Sequence, residues 1–214
     1  MTPVSGKSVA IIVAHPDDET LWAGGTILSH PSWKCFIVCL CRKSDTERAT
    51  KFYAALKILK SDGIMGDLDD GPDQKPLDKS NVQNLILDLL LSTHFDLLIT
   101  HNPNGEYTRH RRHEDVSEAV INLWHSGKLT ARELLTFAYE DNHKAYYPRP
   151  DHTAPVYQVL TKSIWLDKYK LITATYGFET TSWEAETTPR AEAFWQFTDP
   201  EEAKKWLAMK SFQS

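Results

Sequence analysis

The chain has 214 residues, 41% of them hydrophobic, and a formal net charge of −5; its pI is near 6.0 and its mean hydropathy −0.43. A chain of this size supports one large domain whose core needs no disulfide or structural metal. The acidic balance argues against a nucleic-acid partner, which calls for a basic face, and no apolar run is long enough to span a bilayer.

Residues 1–8 are largely polar and the apolar stretch after them runs straight into His15, so no secretory signal is read and a cytoplasmic protein is expected. That stretch, Ser8 to Ala14, is β-branched and continuously apolar, which predicts a strand buried on both faces. A helix is predicted from Asp17 or Asp18 to Leu28, and a second buried strand from Trp33 to Leu40. Cys35, Cys39 and Cys41 lie in or just after that strand and are expected as reduced, buried thiols. A helix follows from Asp45 to Lys60, then a surface loop over Ser61 to Lys79, rich in Gly, Asp and Pro.

Asn81 to Thr93 reads as an apolar helix, Phe95 to Thr100 as a strand, and His110 to His125 as a further helix. Leu134 to Tyr139 is strand-like, His143 to Pro155 is irregular, and Val156 to Leu160 predicts one more strand. Helices are expected over Ile164 to Tyr176, Arg190 to Phe197 and Glu201 to Met209. Strands alternating with helices predict an α/β fold with a mainly parallel sheet, in one domain over 1–214. Ligands of such sheets bind at the carboxyl ends of strands. Two strands end there in a histidine, His15 and His101.

Histidine is the compositional outlier, with nine in all and three within residues 101–113. His15-Pro-Asp-Asp18 sets imidazole and carboxylate across a strand-to-helix turn, a donor set suited to a zinc-like ion. His110 and His113, at i and i+3, would share a helix face. Three protein ligands with an open water position define a catalytic zinc site, beside which a carboxylate can act as general base. The plainer readings are a core histidine at His15, helix caps at Asp17 and Asp18, and a helix-start carboxylate at Glu19. His101 reads as a structural hydrogen-bonding residue. Arg109, Arg111 and Arg112 read equally as a solvated helix face and as an anion site. His143, Tyr146, Tyr147, Arg149 and His152 sit in a loop that either packs or recognises a sugar.

The string Ala-His-Pro-Asp-Asp-Glu at 14–19, Thr-His-Asn-Pro-Asn-Gly-Glu-Tyr at 100–107 and His-x-x-His at 110–113 resembles the PIG-L/LmbE family of zinc-dependent N-acetylglucosaminyl deacetylases. The resemblance implies a Rossmann-like three-layer sandwich and a zinc ion bound by His15, Asp18 and His113. It also implies Asp17 as general base, His110 as the oxyanion-stabilising histidine, and Arg48 and Tyr107 as substrate contacts. Where many members carry a carboxylate just before the second histidine, this chain has Arg112, so a partner for His110 is sought at Glu114 or Asp115. Tyr107 stands three residues before His110, where many members place a tyrosine two before.

The implied reaction removes an N-acetyl group from a small-molecule amino-sugar conjugate, with no nucleic acid or membrane involved. The alternatives are a zinc amidase on another amide, such as a thiol-sugar conjugate, and a non-catalytic Rossmann-like sugar or nucleotide module. No Gly-x-Gly-x-x-Gly follows the first strand to support the last. A homo-oligomer is left open.

Overall fold

Residues Val9 to Ala14 are all fully buried, which places the first strand, β1 (Ser8–Val13), at the centre of a sheet. Its alternate side chains enter different cores: Val9, Ile11 and Val13 pack on one face, Ala10, Ile12 and Ala14 on the other. Each fully buried Val or Ile contributes roughly 1.5–3 kcal/mol. A computed structural model describes residues 6–107 and 109–211.

Four more parallel strands, β2 (Lys34–Cys39), β3 (Asp62–Met65), β4 (His94–Thr100) and β5 (Thr130–Phe137), join β1. The sheet is completed by β8 (Val156–Val159) and β9 (Ala191–Phe197) in the order β3-β2-β1-β4-β5-β9-β8, with β9 antiparallel to both neighbours. A separate two-stranded ribbon pairs β6 (Tyr139–Glu140) with β7 (Arg149–Pro150). Helices α1 (Asp18–Ser29) and α2 (Thr46–Leu59), with a π-helix over Leu171–Thr175, cover one face. Helices α3 (Lys79–Leu89), α4 (Arg111–His125) and α7 (Pro200–Ser211) cover the other. The predicted three-layer α/β sandwich is therefore present. Strand order reverses between β1 and β4, where open α/β sheets leave a crevice at their carboxyl ends. Short helices α5 (Lys162–Lys170) and α6 (Trp183–Thr187) lie between β8 and β9 in sequence. Among the described residues no helix is long and apolar enough to cross a membrane.

Several elements differ from expectation, among them β7, a two-residue strand inside the stretch 143–155 expected to be irregular. The loop over 61–79 opens with β3, an edge strand of four residues. At Gly63 any Cβ would lie 2.4 Å from the Ile37 carbonyl oxygen, so only glycine allows this approach. Ala191 to Phe197, expected as helix, is β9. Its Ala-Glu-Ala start favours helix, but hydrogen bonding to β5 on one side and β8 on the other overrides that preference. The helix expected over Ile164 to Tyr176 is α5 passing into the π-helix. The three cysteines are free and buried, as expected.

Glu192 of β9 is fully buried and accepts hydrogen bonds from Lys168 Nζ, from the backbone N–H groups of Gly25 and Thr26, and from Thr26 Oγ1, all at 2.6–2.8 Å. It ties the middle of α1 to the sheet, and so fixes the helix whose first turn enters the crevice.

Candidate active site

Asp17 occupies the N-cap position of α1 with φ 116°, ψ −26°, and its side chain makes no capping bond. Its carboxylate thus remains turned to the crevice instead of closing the helix end, contrary to the capping expectation. A non-glycine residue at positive φ costs of order 1–3 kcal/mol and persists only where its surroundings enforce it. The enforcement comes from Glu19. Asp17 N–H donates to Glu19 Oε2 at 3.2 Å, while Tyr176 Oη and Thr20 Oγ1 donate to Glu19 Oε1 at 2.6 and 2.5 Å. Tyr176 directly follows the π-helix and so links that element to the crevice. Burial, and then the Asp18 charge, push the Asp17 carboxyl well above the usual carboxylate range; Arg48, 3.6 Å away, opposes them.

Three groups converge beside Asp17. His15 Nδ1 lies 3.2 Å from Asp18 Oδ2 and 3.2 Å from His113 Nε2, and the latter two atoms are 3.4 Å apart. The outer atoms of His113 and Asp18 are hydrogen-bonded from behind, whereas that of His15 has a carboxylate near it but no hydrogen bond. His113 Nδ1 is 2.5 Å from Glu106 Oε2, and His15 Nε2 is 3.3 Å from Asp70 Oδ1. Trp22 Nε1 donates to Asp18 Oδ1 at 3.1 Å. With those outer nitrogens carrying protons, the remaining lone pairs of His15, His113 and Asp18 face one another. Three acceptors at 3.2–3.4 Å match the edge, about 3.3 Å, of a tetrahedron of ligands at 2.0–2.1 Å from zinc. Carboxylates behind ligating histidines are the usual means of fixing their tautomers.

His101 stands against this cluster, with its Nε2 3.4 Å from Asp18 Oδ2, but that nitrogen also serves the main chain. Ala14 N–H donates to His101 Nε2 at 3.0 Å, and His101 Nδ1 lies 3.0 Å from Glu106 Oε2. Asp18, His101 and His113 form a second group close enough to hold an ion, as do His15, His110 and His113. In the first of these the His101 lone pair is already used by the main chain. Glu106, fully buried, also accepts Asn102 N–H at 2.8 Å. Burial alone would raise its pKa, but the two histidines outweigh that and lower it to about 2.

A cavity of about 260 Å³ opens over the cluster, and Asp17, His110, Arg48 and Tyr107 all line it. The six residues expected there besides Arg48 thus meet in one place, and Arg48 approaches Asp17 and the Pro16 carbonyl oxygen. Burial, and then the neighbouring His113 and His15, push the His110 pKa down to about 3. Neither carboxylate sought for His110 pairs with it. Glu114 takes Arg109 in two bonds of 2.6 and 2.9 Å, and Asp115 takes Arg112 at 2.7 Å.

Arg112 is not on a solvated face. It is fully buried and donates to the carbonyl oxygens of Asp69 at 2.5 Å and Lys75 at 3.0 Å. It thereby clamps the loop that carries Asp70 to His15. Sequence reasoning missed Glu106, Asp70, Trp22 and Trp183 as parts of this site. Glu106 had a signal, lying five residues after a strand-end histidine and seven before His113. Asp70 had none, being one of four aspartates between Asp67 and Asp73.

The sequence profile of the family described as PIG-L, GlcNAc-PI de-N-acetylase, matches residues 10–124. An uncharacterized protein of Acanthamoeba polyphaga mimivirus is 24% identical over 148 residues, which are 62% of this chain and 62% of that relative's length. Among solved structures, the N,N′-diacetylchitobiose deacetylase from Pyrococcus horikoshii superposes with a TM-score of 0.67 at 17% identity, over 90% of this chain and 84% of that one. GalB, the 4-carboxy-2-hydroxymuconate hydratase from Pseudomonas putida, gives 0.62 at 17% identity, over 90% and 97%. One fold thus carries a hydrolase and a hydratase, so the fold alone does not select the chemistry.

Proposed function

Because this chain belongs to the PIG-L family, we propose that it is a zinc-dependent N-deacetylase that releases acetate from an N-acetylglucosamine-type amino-sugar conjugate. The observation that carries the reading is the triangle of His15 Nδ1, Asp18 Oδ2 and His113 Nε2 beside an uncapped Asp17. Those three residues would hold the metal. Bound there, zinc supplies Lewis acidity that polarises the amide carbonyl and acidifies water.

Asp17 takes the proton of the attacking water and returns it to the departing amine nitrogen, so acetate and a free amine leave. Burial raises its pKa above the ordinary carboxylate range, the direction that suits a group that must both accept and release a proton. His110 offers one N–H to the oxyanion, a contribution typically worth about 3–4 kcal/mol. Arg48 and Tyr107 line the entrance and orient the sugar.

The test is acetate release from N-acetylglucosamine conjugates by the zinc-loaded protein. Release is expected, with loss on chelation and recovery on adding zinc; no release from any such conjugate would overturn the reading.

Glu19 and Tyr176 act through Asp17, by holding its backbone at φ 116°. Displacing a catalytic group by about 1 Å can cost up to about a hundredfold. Glu19→Ala is therefore expected to lower kcat by about ten- to a hundredfold at unchanged zinc content. Glu19→Gln, which keeps an oxygen for the Asp17 N–H, should retain most of kcat. Equal losses in the two variants would point to folding instead of positioning.

A further inference from the structure

Trp22 follows Asp18 by four residues in α1, so the two side chains share one helix face. The indole is fully buried and borders the catalytic cavity. Its N–H donates to Asp18 Oδ1 at 3.1 Å. Asp18 Oδ2 is the oxygen that faces His15 Nδ1, His113 Nε2 and His101 Nε2, at 3.2–3.4 Å. One carboxylate thus divides its oxygens between an indole and a set of metal-binding nitrogens.

The indole is held from several sides. Its ring lies 4.9 Å from that of Tyr139, with Tyr107 and Trp183 at 6.2 and 6.4 Å. Its main chain is held as well, because Tyr139 Oη donates to the Trp22 carbonyl oxygen at 2.9 Å. In a regular helix that oxygen is the acceptor for Thr26 N–H. Here Thr26 N–H donates to Glu192 Oε2 at 2.6 Å, and Gly25 N–H to Glu192 Oε1 at 2.8 Å. Both ends of one rung of α1 are therefore bonded to side chains from outside the helix. At Gly25 any Cβ would lie 3.0 Å from Glu192 Oε1, so glycine admits the carboxylate to the backbone. Lys168 Nζ, also fully buried, neutralises that carboxylate at 2.6 Å. A buried ion pair is often no more stabilising than apolar residues of the same volume. What this one provides is a fixed position for the helix turn that carries Trp22.

We infer that Trp22 is a positioning residue of the metal site: its N–H keeps Asp18 Oδ1 from the ion, so that Asp18 gives a single oxygen. Tyr139 and Glu192 hold the indole where it can do so. Zinc with three protein ligands is catalytic only while its fourth position stays open, and a carboxylate free to give both oxygens would fill it. The inference rests on the metal-binding part of the deacetylase reading.

The test loads the full chain with cobalt(II), whose visible absorption is intense in four-coordinate sites and weak at higher coordination. Trp22→Phe keeps a ring and removes the N–H. That variant is expected to bind one equivalent of cobalt with much weaker absorption than the wild type. Its zinc-loaded form should lose about tenfold in kcat at unchanged zinc content, within the range typical of such partners. Tyr139→Phe deletes only the hydroxyl on the Trp22 carbonyl oxygen, and should move both readings the same way by less; it carries the test where Trp22→Phe does not fold. A wild-type cobalt spectrum in both variants, or a loss of kcat that merely follows loss of zinc, would overturn the inference. Acetate release by the wild type separates the claims. Release with unaltered cobalt spectra in the variants refutes the role of Trp22 alone, and altered spectra without release refute the deacetylase alone.

Discussion

Replacing Asp17 by asparagine is expected to lower turnover about a thousandfold while the purified protein keeps its zinc. Proton transfer by a placed carboxylate typically contributes about 10²–10⁴-fold, and a thousandfold loss corresponds to about 4 kcal/mol of barrier. Asparagine is nearly isosteric and leaves the Asp17 main chain, which caps nothing through its side chain, free to keep its hydrogen bond to Glu19. The metal triangle does not include Asp17, so metal content should be unchanged. Acetate release and metal analysis on one preparation read both quantities. A variant retaining more than about a tenth of wild-type turnover would remove Asp17 from the role of base.

The second large effect concerns the cluster itself. His113→Ala removes one corner of the triangle and leaves Glu106 with only His101 on Oε2. Zinc is expected to fall to a small fraction of one equivalent, and acetate release to the background rate. Glu106→Gln is the graded companion, since it leaves all three ligands in place and weakens the hold on His113 Nδ1 together with that on His101 Nδ1. Partners of this kind typically contribute 10–100-fold to metal affinity. That variant should lose zinc at low concentration and regain turnover when zinc is raised by about the same factor. Full occupancy of His113→Ala would place the metal elsewhere.

The parts of this site that were legible in the sequence share one property: local spacing fixes them. A buried β-branched strand ending in His-Pro-Asp-Asp defines its own turn; the shared helix face expected of His-x-x-His is not what forms, because His110 is the extended N-cap residue of α4 and only His113 lies within the helix. What was illegible depends on which distant segments meet. Asp70 reaches His15 because Arg112 grips the carbonyl oxygens of Asp69 and Lys75. Nothing local distinguishes it from Asp67, Asp69 or Asp73. Arg112 itself resembles its exposed neighbours in sequence, yet it is fully buried. The fold shows the same division. β1, β2 and β4 announce themselves by apolar runs, whereas β9 begins Ala-Glu-Ala and becomes a strand only through its two neighbours. Glu192 within it takes its meaning from Lys168 and the α1 backbone, both far away in sequence.

The central claim is that His15, Asp18 and His113 hold a catalytic zinc ion. Anomalous X-ray scattering at the zinc edge from zinc-loaded crystals tests it most directly. The account expects one ion at about 2.0–2.2 Å from His15 Nδ1, Asp18 Oδ2 and His113 Nε2. An ion ligated by His101 in place of His15, with Ala14 N–H displaced from its acceptor, would contradict it.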